Sequence, residues 1–164
     1  MLDTSRTHFN EQLKIYGPQI LVNLVNKKGY EYPVGQVYAR IVDALAEPRL
    51  HYIHFDFHHE CRKMRWNRVQ LLIDELEPDL TKQGYCCIDH NAIPSKRQSS
   101  VIRTNCMDCL DRTNVVQSAL ARWILNRQLR DIGILSSTEV IENDEQFMNI
   151  FNNSKLFFAS ATEV

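Results

Sequence analysis

The sequence predicts an α/β domain built on a largely parallel sheet with flanking helices. Two observations carry that prediction: short β-branched runs of buried-strand length, and amphipathic stretches of helical period alternating with them along the chain. Residues 5–15 are polar and helix-permissive, and Gly17-Pro18 then breaks the pattern before the strand candidate 19–25. Residues 34–46 place Val34, Val37, Tyr38, Ile41, Val42 and Leu45 at helical spacing and stop before Pro48. Residues 50–57 alternate bulky and polar side chains as a strand does, and a long helical pattern over 59–76 is expected to close at Pro78. A short strand at 85–88, a polar loop at 93–100 and a short strand at 101–103 follow. The clearest helix spans 113–130, with Val115, Val116, Leu120, Trp123, Ile124 and Leu129 on its apolar positions. Trp66 and Trp123 are expected in the core, and residues 152–164 are expected to be irregular.

The chain has 164 residues, 44% of them hydrophobic, which suits one ordinary domain with one core. With 19 basic against 20 acidic side chains the net charge is -1. Such a balance gives no global attraction to nucleic acid or to an anionic bilayer, so any anion recognition must be local. The longest apolar runs are far shorter than the roughly 20 residues a membrane-spanning helix needs. Five cysteines form an odd set with no hydrophobic leader before them, which points to a reducing, intracellular compartment.

One segment concentrates the chemistry: Arg103-Thr104-Asn105-Cys106-Met107-Asp108-Cys109-Leu110-Asp111-Arg112-Thr113-Asn114. A cysteine stands six positions before an arginine, with a threonine next, between a predicted strand and a predicted helix. A loop of that length can curl its backbone N–H groups around one phosphoryl group while the guanidinium clamps two of its oxygens. Ligands in open α/β sheets bind beyond the carboxyl ends of the strands, which is where this loop falls.

The loop's residue types suit hydrolysis through a phosphocysteine. A thiol of ordinary pKa near ~8.5 is mostly protonated at neutral pH, and a helix N-terminus, loop N–H groups and the Arg112 charge all favour the Cys106 thiolate. The leaving alkoxide needs a proton, for which the loop offers two acids, Asp108 and Asp111. Asp111 can alternatively orient Arg112, and Asp108 can cap backbone N–H groups. Thr113 is suited to hydrogen-bonding the sulfur as it leaves and to capping the helix.

The same twelve residues resemble, nearly letter for letter, the catalytic signature of the Sac (suppressor of actin) family of phosphoinositide phosphatases. Phe55-Asp56-Phe57-His58-His59-Glu60-Cys61-Arg62-Lys63-Met64-Arg65-Trp66 resembles a second segment of that family, and residues 19–29 a third. The resemblance implies hydrolysis of the monophosphate of phosphatidylinositol 4-phosphate, extending to the 3- and 5-monoesters, by a metal-independent mechanism without a cofactor. Cys106 would be the nucleophile and Arg112 the phosphate clamp, with Arg103, Asn105, Met107, Cys109 and Leu110 shaping the substrate site. The partner is then a phosphoinositide headgroup at a membrane surface, on the cytosolic face of the endoplasmic reticulum or Golgi. Residues 1–153 correspond to part of a Sac catalytic domain, and 154–164 to a divergent, disordered tail. A catalytically inactive phosphoinositide-binding or scaffold module is the alternative.

Other readings of the cysteines are weaker. Cys106 and Cys109 have metal and redox spacing, but zinc needs a second pair of ligands, and Cys86-Cys87 are adjacent. His58-His59-Glu60-Cys61 lacks i, i+4 ligand geometry, so no metal site is expected. Arg62, Lys63, Arg65 and Arg68 read as a solvated, ion-paired face.

Overall fold

The computed structural model describes residues 1–107 and 111–160, with side chains to residue 153. It divides into two compact units, Met1–Thr113 and Asn114–Val164.

The first unit is organised by a three-stranded parallel sheet in the order β2-β1-β5. Strand β1 (Gln19–Asn23) lies between β2 (Leu50–His54) and β5 (Val101–Asn105), with Gln19 level with Leu50 and Val101 and Asn23 level with His54 and Asn105. All five residues of β1 are buried, as befits a central strand covered on both faces. On one face Leu21 and Leu50 join Phe9 and Leu13 of α1 (Leu2–Tyr16) and Val42 and Leu45 of α2 (Tyr32–Leu45) in a single apolar cluster. The opposite face presents Ile20, Val22 and Ile53, and there His51 meets Asp79 of α4 (Gln70–Gln83) at 3.6 Å. That helix buries Leu72, Ile73, Leu76 and Leu80.

Two glycines make this packing possible. Gly17 turns the chain from α1 into β1 at φ 70°, and a side chain there would meet the Ser99 carbonyl at 3.0 Å. Gly35 lets α2 approach the sheet: a Cβ would lie 2.7 Å from Val25 Cγ2 and 3.3 Å from Asn23 Nδ2.

The helix expected over 59–76 is broken. A short α3 (Phe57–Glu60) is capped by Asp56, whose Oδ1 accepts the His59 N–H at 3.0 Å, and Lys63 and Met64 then take left-handed conformations with φ 57° and 58°. Two 3-10 turns, Arg62–Met64 and Trp66–Val69, bridge to α4. The break brings Trp66 to the surface, 45% exposed with its ring against Phe57 at 5.8 Å, rather than into the core. Pro78 does not end α4 either. It sits on the exposed side of the helix, as does Asp74, whose carbonyl it deprives of a partner, and buried Leu80 carries the helix on to Gly84. Strand β2 stops three residues short of the expected 50–57 because Asp56 begins the α3 cap. The loop expected at 93–100 contains β4 (Pro94–Lys96), paired antiparallel with β3 (Cys87–Ile88).

The second unit carries most of α5 (Asp111–Asp131) and all of α6 (Glu145–Ser160). The 3-10 turn Ile141–Asn143 is pinned to α5 by Asn126, which donates to Glu142 at 3.0 Å and accepts the Ile141 N–H at 2.8 Å. Asp144 caps α6 by accepting the Phe147 N–H at 2.9 Å. The helix runs on past Asn152, where the sequence suggested an irregular chain; Phe147, Ile150 and Phe151 recur at helical spacing. Among the described residues no helix is long and apolar enough to cross a membrane.

Candidate active site

The predicted chemistry gathers at the carboxyl ends of β1, β2 and β5. Parallel pairing brings Asn23 and Asn105 side by side, and Asn105 donates its amide to Asn23 Oδ1 at 2.7 Å. Asn23, 1% exposed, passes its own amide to the Tyr52 hydroxyl at 2.9 Å. The backbone continues the link, with the Leu24 N–H on the Asn105 carbonyl at 2.8 Å and the Phe55 N–H on the Asn23 carbonyl at 3.0 Å. Three strand ends are thus joined by polar groups whose burial demands partners. The residue after Asn105 is Cys106, so its position is set by the sheet.

Cys106 is buried, and its Sγ lies 3.5 Å from the Thr113 Oγ1, also buried. Thr113 is the third residue of α5 rather than its cap, because the helix already begins at Asp111. Met107 is 46% exposed, and Asp111 is exposed at the helix start. Asp108, Cys109 and Leu110 lie outside the described residues.

Arg112 meets a residue the sequence reading had not singled out. Its Nη1 and Nη2 donate to Glu31 Oε2 and Oε1, each at 2.8 Å, in a bidentate pair. Glu31 is 1% exposed and also accepts the Asn26 N–H at 2.8 Å. The Arg112 hydrogen bonds, aided by Asn26, hold the Glu31 carboxyl below the usual carboxylate range against the opposing cost of burial. The segment carrying Glu31 is itself tied down: His54 donates its ring Nε2–H to the Val25 carbonyl at 2.9 Å, and Asp56 Oδ2 accepts the Lys27 N–H at 2.9 Å. No local pattern marks Glu31 in the sequence, since it stands 81 residues from Arg112 and outside any periodic run.

Arg103 lies two residues before Asn105 on the same face of β5. It donates to His8 Nε2 at 2.8 Å and stacks over Phe9 at 5.8 Å. Together with Asn23, Asn105, Tyr38, Val34, Val37 and Ile41 it lines a cavity of about 350 Å³. Burial pushes the Tyr38 phenol up to about 12, so that hydroxyl stays protonated. At the surface Glu60 forms an ion pair with Arg68 at 2.8 Å and lies within hydrogen-bond distance of the His59 ring at 3.1 Å. No cluster of three or more potential metal ligands occurs among the described residues.

The arrangement is a parallel α/β sheet with a cysteine, a threonine and a carboxylate-held arginine assembled beyond its carboxyl edge, a layout suited to binding a small anion. The sequence is similar to known proteins over most of its length. Residues 1–62 match the family described as SacI homology domain. The chain is 49% identical over 155 residues to an uncharacterised protein of Schizosaccharomyces pombe, covering 92% of this chain and 26% of that one. It is 46% identical over 158 residues to phosphatidylinositol-3-phosphatase SAC1 of Saccharomyces cerevisiae (93% and 25%) and 44% identical over 153 residues to phosphatidylinositol-3-phosphatase SAC1-A of Danio rerio (93% and 26%). The chain belongs to the Sac family, and it spans about a quarter of the length of these relatives.

Proposed function

We propose that the segment between β5 and α5 hydrolyses a phosphate monoester of an inositol lipid through a phosphocysteine on Cys106. The observation that carries this reading is the buried Cys106 Sγ beside the Thr113 hydroxyl at 3.5 Å, at the carboxyl edge of the parallel sheet. Family membership supplies the substrate class, because relatives are named as phosphatidylinositol phosphatases.

In the first step the Cys106 thiolate attacks phosphorus and the P–O ester bond breaks. Asp108 or Asp111 gives a proton to the departing inositol hydroxyl. Arg112 holds two of the equatorial oxygens as charge builds on them. Water then gives a proton to the same carboxylate and attacks phosphorus, the P–S bond breaks to release inorganic phosphate, and the Thr113 hydroxyl stabilises the returning thiolate. Arg103, Asn105, Met107, Cys109 and Leu110 shape the headgroup site.

Phosphatidylinositol 4-phosphate is the preferred substrate in this reading, followed by the 3- and 5-monophosphates, presented on the cytosolic face of endoplasmic reticulum or Golgi membranes. Residues 1–153 form part of the catalytic domain. The test is phosphate release by the purified chain from short-chain versions of the three lipids, with Cys106→Ser as control. Release by the native protein alone supports the reading. Headgroup binding without turnover by either protein would instead identify a binding module.

A further inference from the structure

A carboxylate as buried as Glu31 is costly unless its oxygens are fully engaged, and here both accept from one guanidinium while Asn26 adds a backbone N–H. The turn that holds it, Gly29–Glu31, leads directly into α2, so the carboxylate is fixed by the packing of a helix on the sheet. A guanidinium carries five N–H donors in one rigid plane. Glu31 takes one from Nη1 and one from Nη2, the end-on edge of the fork. The side-on edge, Nε–H with the outer Nη2–H, is not the one Glu31 uses, and it has the spacing that receives two oxygens of a phosphoryl group. A phosphoryl group on that edge and the carboxylate on the other would address different edges of the same plane.

The geometry points to Glu31 as the positioning residue of Arg112, presetting the plane of the phosphate clamp. The inference rests on the phosphatase reading but adds a residue to it. Glu31 touches no reacting atom and acts through the guanidinium alone. Its charge also balances that of Arg112, so that oxyanion affinity at this position comes from directed hydrogen bonds rather than from net charge.

That last point gives the test a sign. Removing a negative charge near an anion site strengthens anion binding on Coulomb grounds, whereas loss of an oriented clamp weakens it. Tungstate binding is measured by calorimetry on the native protein, Glu31→Gln, Glu31→Asp, Arg112→Lys and the Glu31→Gln/Arg112→Lys double variant, each scaled to its folded fraction. Misplacement by about an ångström can cost a hundredfold, so Glu31→Gln is expected to weaken tungstate binding at least about tenfold and lower kcat/KM about ten- to a hundredfold. Glu31→Asp, which keeps the charge, should lose about three- to tenfold. In the Arg112→Lys background Glu31→Gln should change neither quantity by more than about threefold, because an ammonium has no plane to set. Unchanged or tighter tungstate binding in Glu31→Gln, full activity in Glu31→Asp, or losses that multiply in the double variant would overturn the inference. A native protein that binds tungstate in the expected pattern but releases no phosphate from lipids would leave Glu31 in place and remove the phosphatase reading. Lipid hydrolysis unaffected by Glu31→Gln would do the reverse.

Discussion

Asn105 donates its side-chain amide to Asn23 at 2.7 Å across the β1–β5 pair, one residue before the cysteine on which the proposed chemistry is centred. Asn23 is nearly inaccessible and relays the link to Tyr52, so the end of each strand senses the other two. Replacing Asn23 with Ala strands the Asn105 amide and the Tyr52 hydroxyl. Leaving a buried polar group unpaired costs about 1–3 kcal/mol, so the urea midpoint should fall accordingly. Turnover should fall with it, measured on the folded fraction, because the Cys106 backbone loses its anchor.

Gly35 offers a packing test that leaves every polar group in place. A methyl at this position would lie 2.7 Å from Val25 Cγ2 and 3.3 Å from Asn23 Nδ2, so the Val25 side chain or α2 would have to shift. Gly35→Ala is expected to destabilise by about 1–3 kcal/mol, the usual cost of overpacking, in spite of alanine's better helix propensity. Thermal denaturation of the two proteins measures the difference, and an unchanged or raised Tm would contradict the close approach.

The elements that position the site were those most legible in the sequence. Gln19 to Asn23 is an unbroken apolar run apart from its ends, and 113–130 repeats apolar residues at helical spacing, so the central strand and the helix that follows the cysteine segment are legible from pattern alone. The failures have a common cause, which is that tertiary contacts overrode local preference. Lys63 and Met64 have no glycine-like signal, yet they adopt positive φ where the chain must leave α3 and return to α4. Pro78 is a helix breaker by local rules, yet it lies inside α4 on the exposed side, while Leu72, Ile73, Leu76 and Leu80 hold the other side in the core. Glu31 is the most consequential omission, since a pairing between residues 81 apart leaves no local trace.

In the proposed mechanism Thr113 separates the two chemical steps. Thr113→Val keeps the side chain's shape but removes the hydroxyl that lies 3.5 Å from the sulfur. Loss of one positioned donor in such a step costs about a hundredfold or more, and here it should fall on breakdown of the phosphocysteine rather than on its formation. Rapid-quench kinetics should then show a burst of released inositol lipid followed by a slow steady state. Equal slowing of both phases would place Thr113 in a structural role.

The Glu31–Arg112 pair makes stability depend on pH in a defined direction. The Glu31 carboxyl is held below its ordinary value, chiefly by the Arg112 hydrogen bonds. A depressed folded-state value means the unfolded chain binds the proton more readily, so the pair's contribution is complete above the unfolded carboxyl value of about 4.3 and is lost as pH falls through the folded value below it. Urea midpoints of the native protein and Glu31→Gln should therefore differ most near neutral pH and converge below about pH 4. A constant difference from pH 7 to pH 3 would mean that Glu31 contributes by shape and not by charge.

The most direct measurement of the central claim is acid quenching of the native protein during turnover of short-chain phosphatidylinositol 4-phosphate, followed by mass spectrometry of the Cys106 peptide. The account predicts a phosphoryl adduct on the Cys106 sulfur that accumulates in Thr113→Val and is absent from Cys106→Ser, which releases no phosphate. Phosphate release by Cys106→Ser at the native rate, with no adduct on the native peptide, would contradict it.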